Sequence, residues 1–158
     1  MFIDPLTSNI FQSKKSIISD NLELLLYETQ NGNTQKKTPP TYIFQIKSRD
    51  DETLGMIRLR LTDDTNFLNY YGHVGYFIKT SARGHYYATK ALKMLLPLVQ
   101  FHNIKPLIIT CNPDNIGSIK TCQKAGATHL KTVTFGTSRS KQDGPPPVKK
   151  MVWELHYS

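Results

Sequence analysis

The sequence predicts an α+β fold: a mixed, mostly antiparallel twisted sheet with flanking helices. Three observations carry this. Residues 41–61 hold two runs in which side chains alternate between two faces, as in the arms of a hairpin. An apolar run at 74–78 leads into a stretch with an apolar stripe at three- and four-residue spacing. A second apolar run at 107–111 follows it, which together makes a strand–helix–strand crossover. Two more strand-like runs, 128–135 and 148–156, close the chain.

In order, residues 1–13 carry little pattern. Residues 16–29 (Ser-Ile-Ile-Ser-Asp-Asn-Leu-Glu-Leu-Leu-Leu-Tyr-Glu-Thr) read as a helix capped near Ser19 or Asp20. Residues 31–40 are polar, end in two prolines and form a loop. In the strand 41–47, Tyr42, Phe44 and Ile46 share one face and Ile43 and Gln45 the other. A turn at 48–52 leads to a second strand, 53–61, where Met56, Arg58 and Arg60 alternate with Ile57, Leu59 and Leu61. Residues 62–71 read as an irregular loop, and 73–79 as the third strand. From 83 to about 99, Ala88, Ala91, Leu92, Leu95, Leu96 and Val99 form the stripe of one helix, which Pro97 kinks or ends. Residues 105–111 have the make-up of a strand buried on both faces. The turn Asn112-Pro-Asp-Asn115 opens a helix to about Ala125, ended by Gly126. Between the last two strands, 136–147 is a long, partly basic, proline-containing loop.

At 158 residues the chain is most simply one domain, 1–158. No apolar run approaches the ~20 residues of a membrane span, and the N-terminus lacks a charged-then-apolar signal pattern. Two cysteines, Cys111 and Cys122, are too few for a disulfide framework. The expectation is a cytoplasmic protein with no membrane partner. Net charge is +8, from 20 Lys and Arg against 12 Asp and Glu. That favours acidic partners or is simply a solvated basic surface. The basic residues are scattered, which argues against nucleic-acid binding as the main task. His85, His102 and His129 with the two cysteines have no zinc-ligand spacing, so no metal is expected.

The sharpest feature is the stretch around Arg83. Strand, polar bend, Arg83-Gly84 and helix start together point several free backbone N–H groups at one spot. Those donors and the positive end of the helix dipole suit an anion, preferably a phosphate. The turn is neither a Walker loop nor a dinucleotide fingerprint. Downstream, Asn115, Ser118 and Cys122 fall on one helix face. They make either the polar wall of a cleft or a helix cap followed by an ordinary surface stripe.

Taken together, Ala82-Arg-Gly-His-Tyr-Tyr-Ala-Thr-Lys-Ala-Leu92, Ile108-Ile-Thr-Cys-Asn-Pro-Asp-Asn-Ile-Gly-Ser118 and Lys124-Ala-Gly126 closely resemble the Gcn5-related N-acetyltransferase (GNAT) superfamily. Within it, the match is to small acetyltransferases with a Gly-His-Ile-Gly-Tyr strand and an Ile-Thr-Cys-Asp-x-Asp-Asn segment. The similarity spans about 54–126 and, more loosely, 150–155. The resemblance implies that strand 74–78 splays from strand 107–111. It implies acetyl-CoA as co-substrate, its pantetheine arm along the backbone of Tyr76, Phe77 and Ile78. The pyrophosphate would sit at the helix start on Arg83, Gly84, His85, Tyr86, Tyr87, Ala88 and Thr89, with Asn115 bonded to the arm and Ser118 close by.

Three positions depart from the family pattern. Tyr86 stands where glycine is usual: it is held at positive φ at a cost of about 1–3 kcal/mol, or takes an ordinary helical φ and points outward. Cys122 falls where many relatives have a tyrosine as general acid. His73 aligns roughly with the glutamate that many relatives use as base, and either serves as the base or is structural. The implied reaction is direct transfer of an acetyl group from acetyl-CoA to an amine in a ternary complex. The backbone N–H near Phe77 or Ile78 would polarise the thioester, His73 would accept the amine proton, and Cys122 or water would protonate the departing CoA. The rival readings are a CoA-binding module without activity and a basic binder of nucleic acid or acidic protein. The acceptor, an amine-bearing small molecule or peptide, would be chosen by 62–71 and 136–147. Arg58, Arg60 and Arg139 point to an acidic acceptor or to surface ion pairs. Trp153 and Tyr157 read as core or interface, and an exposed terminal strand would allow pairing into a homodimer.

Overall fold

The computed structural model describes residues 15–136 and 146–158. Among the described residues, eight strands form one sheet in the order β1-β2-β3-β4-β5-β6-β8-β7. These are β1 (Ser16–Ile18), β2 (Leu22–Gln30), β3 (Thr41–Ser48), β4 (Thr53–Arg60), β5 (Val74–Ile78), β6 (Leu107–Cys111), β7 (Thr128–Phe135) and β8 (Val148–Leu155). Every neighbouring pair is antiparallel except β5 and β6. The helices are α1 (Thr65–Tyr71), α2 (Tyr87–Met94), α3 (Leu96–Phe101) and α4 (Ile116–Ala125). The predicted fold class holds.

Side chains alternate across the sheet, so it has two unlike faces. One carries Leu24, Phe44, Ile46, Ile57, Leu59, Val74, Ile109 and Trp153, all buried, under Ala91, Leu92, Leu95, Leu98 and Val99 of α2 and α3. Tyr42 joins this core and its hydroxyl meets Nε2 of His102, just past α3, at 2.8 Å. Cys111 is turned to the same side, against Cys122 of α4. The opposite face of β6 carries Ile108 and Thr110, and α1 packs there: Thr110 Oγ1 donates to Tyr70 O at 2.9 Å.

Three predicted elements are corrected. Residues 16–29 form β1 and β2, not a helix. Leu22 and Leu24 alternate into the core while Glu23 pairs with Lys47 of β3; an available strand edge overrides the helix preference of a leucine-rich run. Ser19 makes the turn between the two strands, its Oγ donating to Leu22 O. The expected loop 62–71 contains α1, whose cap is Asp64: Oδ1 accepts from the backbone N–H of Asn66 and Phe67 at 3.0 and 3.3 Å. The single helix expected from 83 to 99 is two, α2 and α3, with Leu95 between them and Pro97 in the first turn of α3, where no N–H partner is lost. The terminal strand β8 lies inside the sheet between β6 and β7, so the edge expected to be free for pairing is occupied; β1 and β7 are the edges. Trp153 is buried in the core. Among the described residues, no helix is long and apolar enough to cross a membrane.

Candidate active site

The crossover β5–α2–α3–β6 should give a continuous parallel pair, but β5 and β6 meet at one position, Val74 opposite Ile109, and then diverge. The gap becomes a cleft of about 520 Å³. Its walls are Tyr76, Phe77 and Ile78 of β5, the turn Ala82, Arg83, Gly84, Tyr86, Tyr87 and Ala88, and Asn115, Gly117, Ser118, Lys120 and Thr121 of α4. β5 can approach β4 here only because residue 55 is glycine. A Cβ on Gly55 would lie 2.0 Å from the carbonyl oxygen of Phe77.

At one end of the cleft stands the tip of α2. Its N-cap residue, Tyr86, makes no side-chain capping bond. Among the described residues, the backbone N–H groups from Gly84 to Thr89 have no protein acceptor, the first bonds into the helix being Lys90 to Tyr86 O and those after it. Gly84 and Tyr86 both have positive φ, 88° and 61°. The strained alternative for Tyr86 is therefore the one realised; the residue is 56% exposed at the cleft rim, with Lys124 Nζ 4.4 Å from its ring centroid. Arg83 ties the turn to the strand, Nε donating to Ile78 O at 3.0 Å, and its terminal nitrogens have no protein partner among the described residues. Unsatisfied donors, a helix dipole, Arg83 and Lys120 suit this end of the cleft to an anion.

The other end is the apex where the strands meet. His73 is buried there, with both ring nitrogens engaged. Nδ1 accepts the backbone N–H of Ile108 at 2.8 Å, and Nε2–H donates to Thr62 O at 3.1 Å. Burial, with Arg60 adding to it, lowers its pKa to about 4 despite the Thr62 bond. The ring faces a second cavity of about 570 Å³, shared with Thr62 and His102, not the cleft. Cys122 is wholly buried behind the cleft wall. Its contact with Cys111 and its burial push its thiol far up, while the bond from Cys122, with Trp153 and Lys150 beside it, draws the Cys111 thiol down.

Sequence reasoning singled out Tyr76 for its backbone alone; the side chain adds to this. Its hydroxyl is buried without a partner in hydrogen-bonding geometry, next to Ser118, Thr121, Cys111 and Cys122, and burial raises its pKa. Of the other expected residues, Phe77, Ile78, Arg83, Gly84, Tyr86, Tyr87, Ala88, Asn115 and Ser118 line the same cleft, whereas His85 and Thr89 do not. His85 instead donates from Nδ1 to Ala82 O at 3.1 Å and stacks on Tyr87. Asn115 caps α4, Oδ1 accepting from Ser118 N–H at 3.1 Å, so the capping and cleft-wall readings are both realised. Lys120 and Thr121 were not singled out; Thr121, three residues on from Ser118, was signalled by that spacing, and Lys120 by none.

A splayed parallel pair, a helix tip with free donors and a polar helix across the gap coincide with a family match. The model of the acetyltransferase (GNAT) domain matches residues 12–128. The chain belongs to the GNAT acetyltransferases. No curated protein sequence matches it. Among solved structures, this GNAT chain is similar to RimL, a ribosomal L7/L12 alpha-N-protein acetyltransferase, at 14% identity and a TM-score of 0.63, over 89% of this chain and 96% of that one. The microcin C7 self immunity acetyltransferase MccE, in complex with acetyl-CoA and AMP, aligns at 19% identity and a TM-score of 0.57, over 78% of this chain and 63% of that one. The ribosomal-protein-S5-alanine acetyltransferase of Vibrio fischeri aligns at 15% and 0.55, over 73% and 61%. At these identities the likeness is one of fold. The enzyme is an acetyltransferase by family; the GNAT co-substrate is acetyl-CoA.

Proposed function

We propose that this acetyltransferase moves the acetyl group of acetyl-CoA directly to an amine nitrogen within a ternary complex, as one cytoplasmic domain. The observation that carries the reading is the cleft opened where β5 and β6 part after Val74 and Ile109, with the free donors of the α2 tip at its far end. The diphosphate sits on the backbone N–H groups of Gly84 to Ala88 with Arg83 beside them. The pantetheine arm runs along Tyr76, Phe77 and Ile78, whose β6-facing backbone groups lack a strand partner. Positioning then supplies most of the rate.

We assign neither His73 nor Cys122 the proton transfers that the sequence suggested. His73 has no free lone pair and acts as a positioning residue, clamping β5 to β6 at the apex. Cys122 is buried, and with its pKa raised the thiol is a poor acid for a departing thiolate. Tyr76 Oη is the buried donor left unused on the cleft wall, and it hydrogen-bonds the leaving sulfur. The amine loses its proton to solvent, which is easy for an α-amine of pKa ~8 and hard for a lysine of pKa ~10.4. Acceptors are amine-bearing small molecules or peptides with such an amine.

The test is a thermal-shift titration with acetyl-CoA followed by turnover on a panel of amines. At 100 times its dissociation constant the co-substrate should add about 2.7 kcal/mol of stability. Tyr76→Phe should lower kcat roughly tenfold, the worth of one charge-assisted hydrogen bond, and leave acetyl-CoA affinity within about twofold. Binding without turnover of any amine would support a CoA-binding module instead.

A further inference from the structure

The helices α2 and α4 lie on one face of the sheet, while on the other α1 packs over β6 and β8 and leaves β4 and β5 open to an incoming amine. On that open face, Arg58 and Arg60 lie two residues apart on β4, beside Gly75, which pairs with Arg58 across the β4–β5 ladder. The guanidinium of Arg60 lies over Gly75, one residue from the apex at Val74. A Cβ on Gly75 would come within 2.9 Å of Arg60 Nη2 and 3.3 Å of Arg58 Cγ. Any other residue at 75 would displace the arginine.

Two like charges held side by side need a counter-charge. The described residues supply none: their only ion pairs are Lys47 with Asp51 and His156 with Glu154. The surface ion pairs that would explain Arg58 and Arg60 are thus absent among the described residues, and Arg139 lies outside them. Glu28 of β2 is two strands away from Arg58, beyond Ile43 of β3. Arg60 uses Nη1 alone, donating to the carbonyl oxygens of Tyr71 and Gly72 at 3.0 and 3.3 Å. Its other nitrogens are left over. Burial and the neighbouring Arg58 lower its pKa to about 10, so it stays charged at neutral pH. A third cation completes the patch. The rings of Tyr71 and Tyr70 touch at 4.6 Å, with Arg60 against the first and Lys150 against the second.

Resting on the acetyl-transfer reading above, we propose that Arg58 and Arg60 form the acceptor site's anion clamp, and that the acceptor is an amine bearing a carboxylate or phosphate a few bonds from its nitrogen. The planar guanidinium fork suits an oxyanion better than a lysine would. The clamp orients the amine toward the apex and leaves the transfer chemistry unaltered.

The experiment compares free-amino peptides Ala-Glu-Glu-Ala, Ala-Gln-Gln-Ala and Ala-Lys-Lys-Ala, and ethanolamine against O-phosphoethanolamine, with acetyl-CoA saturating. Wild type should favour the anionic member of a set at least tenfold in kcat/KM, through KM; which set responds separates carboxylate from phosphate. Arg58→Gln should reduce that ratio about tenfold, and Arg58→Glu should turn the preference toward Ala-Lys-Lys-Ala. Equal use of neutral and anionic acceptors, or a ratio untouched by both variants, overturns the clamp. Calorimetric binding of the same probes to the CoA-loaded protein gives a second readout that needs no turnover. If anionic probes bind and Arg58→Gln abolishes this while no amine is acetylated, the clamp stands and the transfer reading fails. If acetylation proceeds and no anionic probe binds better than its neutral partner, the clamp alone fails.

Discussion

The two ends of the cleft are built on opposite principles. At the α2 tip, backbone donors from Gly84 to Thr89 are left without partners and nearby cations are spare. At the apex, His73 is buried and both its ring nitrogens are already bonded to the protein. The first end has its binding capacity turned outward to a ligand. The second has spent its polar groups on holding two strands together. The lesson is that titratable residues of the expected type at the expected place need not be available for chemistry; what counts is whether a lone pair or proton remains free.

The largest effect is expected where the strands themselves are held. Gly55→Val puts side-chain atoms where the Phe77 carbonyl lies and should cost upward of about 3 kcal/mol, with loss of the acetyl-CoA thermal shift. A fully folded variant that still binds would show that β4 does not set the β5 edge.

His73→Ala is next. It strands the Ile108 N–H and the Thr62 carbonyl in a buried site, at about 2–4 kcal/mol in all. The sign of the pH dependence follows from the lowered pKa. His73 binds a proton more readily when unfolded, so its contribution is complete above pH 6.5 and is lost as pH falls toward about 4. The loss should approach about 3 kcal/mol, and chemical denaturation across that range should show His73→Gln without it. Were His73 instead a base, its removal would change the pH profile of kcat at normal stability, and the contrast between the two ends would collapse.

Arg83→Glu probes the tip. Removing one charge-assisted contact and adding a repulsion should weaken acetyl-CoA roughly 10- to 100-fold by titration, with thermal stability nearly unchanged. An unaltered dissociation constant would take this turn out of the site.

The smallest effect belongs to Tyr86. Its positive φ is present without any ligand, so the strain weighs on folding and not on binding. Tyr86→Gly should change stability by about 1 kcal/mol or less, because the relief is offset by glycine's entropy and the lost Lys124 contact, and should leave acetyl-CoA affinity within about threefold. A tenfold gain in affinity would mean that the ring obstructs the cleft.

Much of the fold was legible. The alternation in 41–61, the apolar runs at 74–78 and 107–111 and the cap at Asn115 are local patterns, and each became the expected element. The run Leu22 to Leu26 was not legible, because leucines and glutamates suit a helix by propensity and a strand only when an edge such as β3 is offered. The helix α1 is short and capped by an aspartate in a polar stretch with no apolar stripe to announce it. In the site, residues acting through their backbone were readable from the strand–turn–helix order. Tyr76 Oη, the saturation of His73 and the arginine pair across Gly75 depend on neighbours 11 to 46 positions away.

Sequence alone determined the family and the positive helix tip, since both rest on short contiguous patterns that fix backbone conformation wherever they fold. Tertiary structure decided which polar atoms are free. That is a property of distances between segments remote in the chain, and no residue's identity carries it.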